Sequence, residues 1–285
     1  MSAAPEPQSP RPVAVITGAN TGIGRVTATE LARKGFEVVL ACRSEPKTLP
    51  VVERIRSEGR TARFMPLDLG DLGGVRTSAE RLLQQESRID VLVNNAGLAG
   101  QRGETVDGFE LAFGVNHVGH FLWTRILLPR LLEARQPRVI NLSSKAHYRA
   151  SGIDYTRVRG RTRSLTGLPE YEHSKLANIL FTQELAERYP ADRLWTFAVH
   201  PGVVASDIWR RVPGPLRWWM KRTMISNEEG ARGSVHLATA SELAPHHGAY
   251  FHQTRLKEPN PVTQDPSHRK TLWERTSDWT GLSAD

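Results

Sequence analysis

The chain has 285 residues, of which 39% are hydrophobic and 24% charged, the balance of a globular protein large enough for one α/β domain. One cysteine, Cys42, excludes an intrachain disulfide and points to a reducing, cytoplasmic setting. No apolar run approaches the ~20 residues of a membrane span, because Arg125 and Arg130 interrupt FLWTRILLPRLL (121–132).

MSAAPEPQSPRP, at the N-terminus, is Pro-rich with no signal-peptide core and reads as a disordered lead over 1–12. VAVIT (13–17) is a β-branched run ending in a glycine-rich turn, so it reads as a buried strand. A helix pattern over 22–34 is closed by Gly35. FEVVLAC (36–42) is a second strand, ARFMPLDL (62–69) ends in a third, and 71–87 reads as a helix. IDVLVNNAG (89–97) is a fourth strand running into a turn. A long helix is expected over 109–134, with Pro129 kinking it or marking its final turn. PRVINLSS (137–144) is the fifth strand, followed by a loop and a helix at about 170–188. RLWTFAVHPG (193–202) is the sixth strand; a helix over 228–240 and a short strand GAYF (248–251) follow.

These strands are apolar almost without alternation and are separated by helices. That pattern implies a parallel sheet of about seven strands with helices on both faces. Right-handed crossovers then give an α/β, doubly wound Rossmann domain over 13–285, whose ligands sit at the carboxyl ends of the strands.

The motifs fall at those ends. TGANTGIG supplies Gly18, Asn20, Thr21, Gly22, Ile23 and Gly24 after strand one. Glycines there let the backbone approach a pyrophosphate, and the next helix aims its first amides at the charge. At the end of strand two, an acidic residue would serve the 2′-hydroxyl of NAD. Cys42 and Arg43 stand there instead, and a guanidinium suits a 2′-phosphate, which argues for NADP(H) over NAD(H). Asp68, followed by Leu69, could accept from an adenine amino group or cap the next helix. In NNAG, Asn94 and Asn95 offer amides that lock neighbouring strands, while Ala96 and Gly97 leave room for a ribose. Asn116, a weak helix former inside a helix, marks a functional position, a helix defect, or both. Ser143 and Ser144 end strand five.

Of five tyrosines, only Tyr171 has a lysine four places on, Lys175. At about 3.6 residues per turn the two share a helix face. An ammonium there favours the phenolate and makes the tyrosine a competent proton-transfer group.

With TGANTGIG, NNAG, Asn116, Ser144, YEHSK and HPG (200–202) in order, the chain resembles the short-chain dehydrogenase/reductase family over nearly its whole length. ACRS, LSSKAH and LWERTSDWTGL resemble its retinol dehydrogenase-like branch. The resemblance implies Tyr171 as acid/base and Lys175 as its pKa-lowering partner and ribose ligand. It implies Ser144 as the group that orients the reacting oxygen, and Asn116 as the holder of a relay water. Pro201, Gly202 and Val203 join the cofactor set on the same basis. The expected reaction is NADP(H)-dependent interconversion of an alcohol and its aldehyde or ketone on an apolar substrate. Enone reduction and non-catalytic NADP(H) sensing are the alternatives.

The spacing of 27 residues between Ser144 and Tyr171 is long for the family and marks an insertion. The insertion (149–164) carries five arginines against one aspartate, and 206–224 carries five basic residues against one aspartate, so these two segments account for the net +8. Both are expected at the active-site mouth, the second as a substrate flap over about 203–226, where Trp209, Trp218, Trp219 and Met220 suit an apolar substrate, an anionic carrier or a membrane surface. Nucleic acid is not expected as a partner. A homodimer through helices 109–134 and 170–188, and peripheral membrane contact, are partners to weigh. His117, His120, His147, His173 and His200 lack metal-ligand spacing and read as structural, with His147 as a pocket candidate.

Overall fold

The computed structural model describes residues 11–203 and 225–285. Its centre is one sheet of order β3-β2-β1-β4-β5-β6-β7-β8. The strands are β1 (Val13–Thr17), β2 (Glu37–Cys42), β3 (Ala62–Pro66), β4 (Val91–Asn94), β5 (Arg138–Leu142), β6 (Trp195–His200), β7 (Tyr250–His252) and β8 (Arg255–Leu256). All pair in parallel except β8, which folds back on β7. That eighth strand was not anticipated; its turn passes through Gln253 at φ 56°, which carries none of the usual glycine signal.

The helices are α1 (Gly22–Arg33), α2 (Glu45–Ser57), α3 (Leu72–Gln85), α4 (Leu111–Phe113), α5 (Gly119–Leu131), α6 (Leu168–Arg188), α7 (Asn227–Thr239) and α8 (Pro266–Thr280). Successive strand residues point to opposite faces, and both faces are covered. Val15, Val39 and Leu92 pack with Leu82, Phe121 and Leu180 of α3, α5 and α6. Their neighbours Ile16, Leu40 and Val93 pack with Leu31, Ile55 and Leu237 of α1, α2 and α7. Each such side chain, fully buried, contributes about 1.5–3 kcal/mol. This double burial is why the strands read as unbroken apolar runs.

Three helical features depart from expectation. α2 forms despite Pro46 and Pro50: the first sits in the opening turn, where no N–H is needed, and Val51, Val52 and Ile55 bury enough to offset the second. The expected long helix is instead α4, a π-helical turn at Gly114–Val118, and α5, with Pro129 in the final turn. α8 was not anticipated. It seats Trp273 against Phe121 and Phe181, between the guanidinium groups of Arg125 and Arg188 at 4.5 and 4.4 Å from the ring centroid. The sides of α5 and α6 that carry Phe121 and Phe181 are thus covered by α8. No helix among the described residues is long and apolar enough to cross a membrane.

Candidate active site

The glycine turn between β1 and α1 is built for close approach. A Cβ on Gly18 (φ 65°) would lie 2.9 Å from the Ala96 Cα, and one on Gly24 would lie 2.5 Å from the Gly18 carbonyl oxygen. No acidic residue occupies the first turn of α1, so its amides face an uncompensated positive end of the helix dipole. Asn20, Thr21, Gly22 and Ile23 complete this turn and helix start. The turn therefore fits a pyrophosphate.

Thr17 ties it to the end of β4. Its Oγ1 accepts from the amides of Asn95 and Ala96, both at 2.9 Å, and the Asn95 side-chain amide donates to the Thr17 carbonyl at 2.8 Å. Asn94 donates to Asn141 Oδ1 at 2.7 Å and Thr124 Oγ1 at 2.8 Å, cross-linking β4 to β5 and α5. The NNAG amides thus lock neighbouring elements. Arg43 is exposed at the end of β2, with its guanidinium 4.0 Å from Asp68. The other Asp68 oxygen accepts from the Gly70 amide at 3.0 Å, and the cap of α3 is Asp71, which accepts from Gly74. The capping alternative for Asp68 is therefore corrected. Leu69 is buried, its carbonyl against Gly119, where a Cβ would lie 2.4 Å away.

Asn116 lies in the π-turn, so the helix defect is present. Its side chain is tied down: Oδ1 accepts from the Leu98 amide at 2.9 Å, while Nδ2 donates to the Leu98 carbonyl at 3.0 Å and Ser174 Oγ at 2.9 Å. Its main-chain carbonyl takes one bond, from His120 Nδ1 at 3.0 Å, and keeps a second acceptor position. Gly97 covers this corner; a Cβ there would stand 3.1 Å from Asn116 Oδ1 and 3.5 Å from Lys175 Nζ.

The two serines after β5 face opposite ways. Ser143 donates to the Lys175 carbonyl at 2.8 Å and is buried against α6. Ser144 faces the Tyr171 phenol, favouring its ionised form, and accepts from Ala146 N at 3.2 Å. Lys175 is buried, donates from Nζ to the Leu142 carbonyl at 3.0 Å, and lies 5.7 Å from the Tyr171 ring centroid. Burial lowers its pKa to about 8. Burial raises that of Tyr171, and the Ser144 hydroxyl draws it partly back. For Tyr171, burial is the larger influence. Tyr171 is thereby held as a neutral phenol.

At the end of β6, Pro201 is buried and Gly202 takes φ 99°, where a Cβ would meet Ile225 at 2.5 Å. The Ile225 amide donates to the Val203 carbonyl at 2.9 Å, joining the two ends of the expected flap. The flap itself, with Trp209, Trp218, Trp219, Met220 and the second basic segment, lies outside the described residues, as do residues 1–10 of the expected lead. The second half of the insertion is pinned to residues 103–110 through Val158–Glu110, Gly160–Gly108 and Thr162–Gly103 hydrogen bonds. Its charge is partly spent on Arg149–Glu172 and Arg157–Asp154 pairs and on Arg159 stacked over Phe109.

His147 is buried behind Ser144, bonding the Ser144 carbonyl at 2.5 Å and accepting from the Asn260 amide at 3.1 Å, so it supports the serine rather than lining a pocket. No metal-binding cluster occurs among the described residues. His120, read above as a structural histidine, stands between Thr17 and Asn116. Its place there is set by tertiary packing that spacing alone does not reveal.

A parallel doubly wound sheet with a nucleotide-shaped turn at its carboxyl edge defines a Rossmann-type oxidoreductase. The family model for short chain dehydrogenase matches residues 12–214, and the chain belongs to that family, in its retinol dehydrogenase-like branch. It is 40% identical to retinol dehydrogenase 12 of Mus musculus, over 96% of this chain and 88% of the relative. The structure of an uncharacterised protein from Mycobacterium paratuberculosis superposes with a TM-score of 0.77, at 32% identity, over 97% of this chain and 96% of that one. A Beutenbergia cavernae protein, assigned as an NAD(P)-dependent gluconate 5-dehydrogenase with NADP bound at low occupancy, superposes with a TM-score of 0.69, at 25% identity, over 87% and 97%.

Proposed function

We propose that this protein is an NADP(H)-dependent reductase that interconverts an apolar aldehyde or ketone and its alcohol. The observation that carries it is the convergence of Tyr171, Ser144 and buried Lys175 at the carboxyl edge of the sheet, where the Ser144 hydroxyl acts on the phenol and the lysine Nζ lies 5.7 Å from its ring centroid. The cofactor, when bound, supplies or accepts the hydride. The glycine turn and the first turn of α1 hold its pyrophosphate, Arg43 its 2′-phosphate, Asp68 its adenine, and Ala96 and Gly97 the adjoining ribose. Pro201, Gly202 and Val203 border its nicotinamide end.

In the reductive direction Tyr171 gives its Oη proton to the substrate oxygen, and Ser144 Oγ hydrogen-bonds that oxygen as charge develops. Lys175 replenishes the proton and holds the ribose hydroxyls. The Asn116 carbonyl anchors the far end of the proton path. The exposed guanidinium of Arg43, with no carboxylate at the ribose position of β2, supports the 2′-phosphate assignment. NADP in the Beutenbergia structure and the retinol dehydrogenase name of the relatives are consistent with the cofactor and the apolar substrate.

The test is depletion of NADPH, then NADH, against retinoid-like and other apolar aldehydes, ketones and enones, with products identified by mass. Alcohol formation favouring NADPH supports the reading. A saturated carbonyl product, or indifference to the cofactor's phosphate, overturns it.

A further inference from the structure

Beyond the residues assigned to the reaction, one buried side chain joins the two halves of the site. His120 is 2% exposed, with its Nδ1 at 3.0 Å from the Asn116 carbonyl oxygen and its Nε2 at 2.9 Å from Thr17 Oγ1. A carbonyl oxygen only accepts, so Nδ1 carries the proton. In the neutral ring Nε2 must then accept, and the Thr17 hydroxyl must donate to it. That leaves the two lone pairs of Thr17 Oγ1 for the amides of Asn95 and Ala96, each at 2.9 Å. Every donor and acceptor in this chain has one partner.

A second ring proton has no place. It would point a third donor at Thr17 Oγ1, whose own proton would have only the Val93 carbonyl, at 3.4 Å. Burial holds the His120 pKa down to about 3 against the pull of the Asn116 carbonyl; of the titratable groups near the ring, Lys175 opposes added positive charge and His117 is itself kept neutral by burial.

We propose that His120, fixed as the Nδ1–H tautomer, is a positioning residue: a strut that ties the cofactor turn at Thr17, Asn95 and Ala96 to the Asn116 carbonyl in the π-turn. It rests on the function proposed above in one respect, the use of that carbonyl in the proton path. The strut sets where the carbonyl points relative to Lys175, while the other end braces the turn that approaches the pyrophosphate.

The test has two parts. Nitrogen-15 NMR of the histidine rings in the full-length protein, assigned by loss of a signal in a His120 variant, should show His120 with a protonated Nδ1 and bare Nε2, unchanged from pH 5 to 8. An Nε2–H tautomer, or titration in that range, overturns the proposal without reference to activity. The second part separates the two ends of the strut. Asparagine at 120 places an amide nitrogen near the Nδ1 position, whereas glutamine places an amide oxygen near Nε2. His120→Asn should weaken NADPH binding about fivefold, as for one lost hydrogen bond, and leave kcat nearly unchanged. His120→Gln should leave NADPH affinity nearly unchanged and lower kcat by about 10- to 100-fold through misplacement of the carbonyl. Parallel loss of both quantities in both variants would mark a merely structural histidine and overturn the proposal. If wild-type protein turns over no carbonyl at all, the proposed function fails, while the tautomer and the affinity split still decide for or against the strut.

Discussion

Ser144, at the end of β5, turns its hydroxyl toward the Tyr171 phenol of α6, while the adjacent Ser143 turns its own inward to the Lys175 carbonyl. The pair of serines is therefore divided in labour by geometry. Ser144→Ala should lower kcat by roughly 100- to 1,000-fold, the usual cost of removing one donor at a developing oxyanion. Ser143→Ala should keep most activity and lose about 1 kcal/mol of stability with its hydrogen bond. Paired kinetics and denaturant melts would show the split, and the reverse pattern would reassign the catalytic hydroxyl.

Lys175 sets a pH limb. Burial lowers its pKa to about 8, so the ammonium is present below that pH and lost above it. Tyr171 is shifted the other way, upward, and stays a phenol throughout. Reductive kcat/KM should therefore be level on the acid side of about 8 and fall above it. A profile level up to pH 10 would mean that the lysine charge is not needed.

Arg43 is exposed, and its pairing with Asp68 is long, so its loss should cost little stability, within about 0.5 kcal/mol. Arg43→Ala should weaken NADPH binding by about 10- to 100-fold, as for a lost charge-assisted hydrogen bond, and barely change NADH binding. Titration calorimetry with both cofactors checks this; equal losses would remove the 2′-phosphate role.

Gly97 lies in the wall of the site. Gly97→Ala would put a Cβ 3.1 Å from Asn116 Oδ1, and overpacking of that kind costs about 1–3 kcal/mol. The expected outcome is weaker NADPH binding with a secondary-structure spectrum that is unchanged. Unchanged affinity would show that the corner has slack.

Much of this was legible in the sequence because burial on both sheet faces leaves unbroken apolar strands, and because glycine turns are dictated by close approach. Gly18 and Gly24 are such positions. The misses have physical causes. α2 hides behind two prolines that the burial of Val52 and Ile55 overrides. α8 shows little amphipathic pattern, since it is held by Trp273 between two arginines rather than by an aliphatic stripe. The burial that raises the Tyr171 pKa was not legible because a sequence gives spacing but not desolvation. His120 was passed over because its partners, Thr17 and the Asn116 carbonyl, meet only in the fold.

The most direct test of the central claim is Tyr171→Phe. NADPH affinity and carbonyl reduction would be measured on the same preparation. The account predicts cofactor binding within about twofold of wild type, since the glycine turn and Arg43 that hold the phosphates are untouched, and no detectable reduction. Reduction at the wild-type rate would remove the tyrosine as proton donor, and with it the reaction assigned to this site.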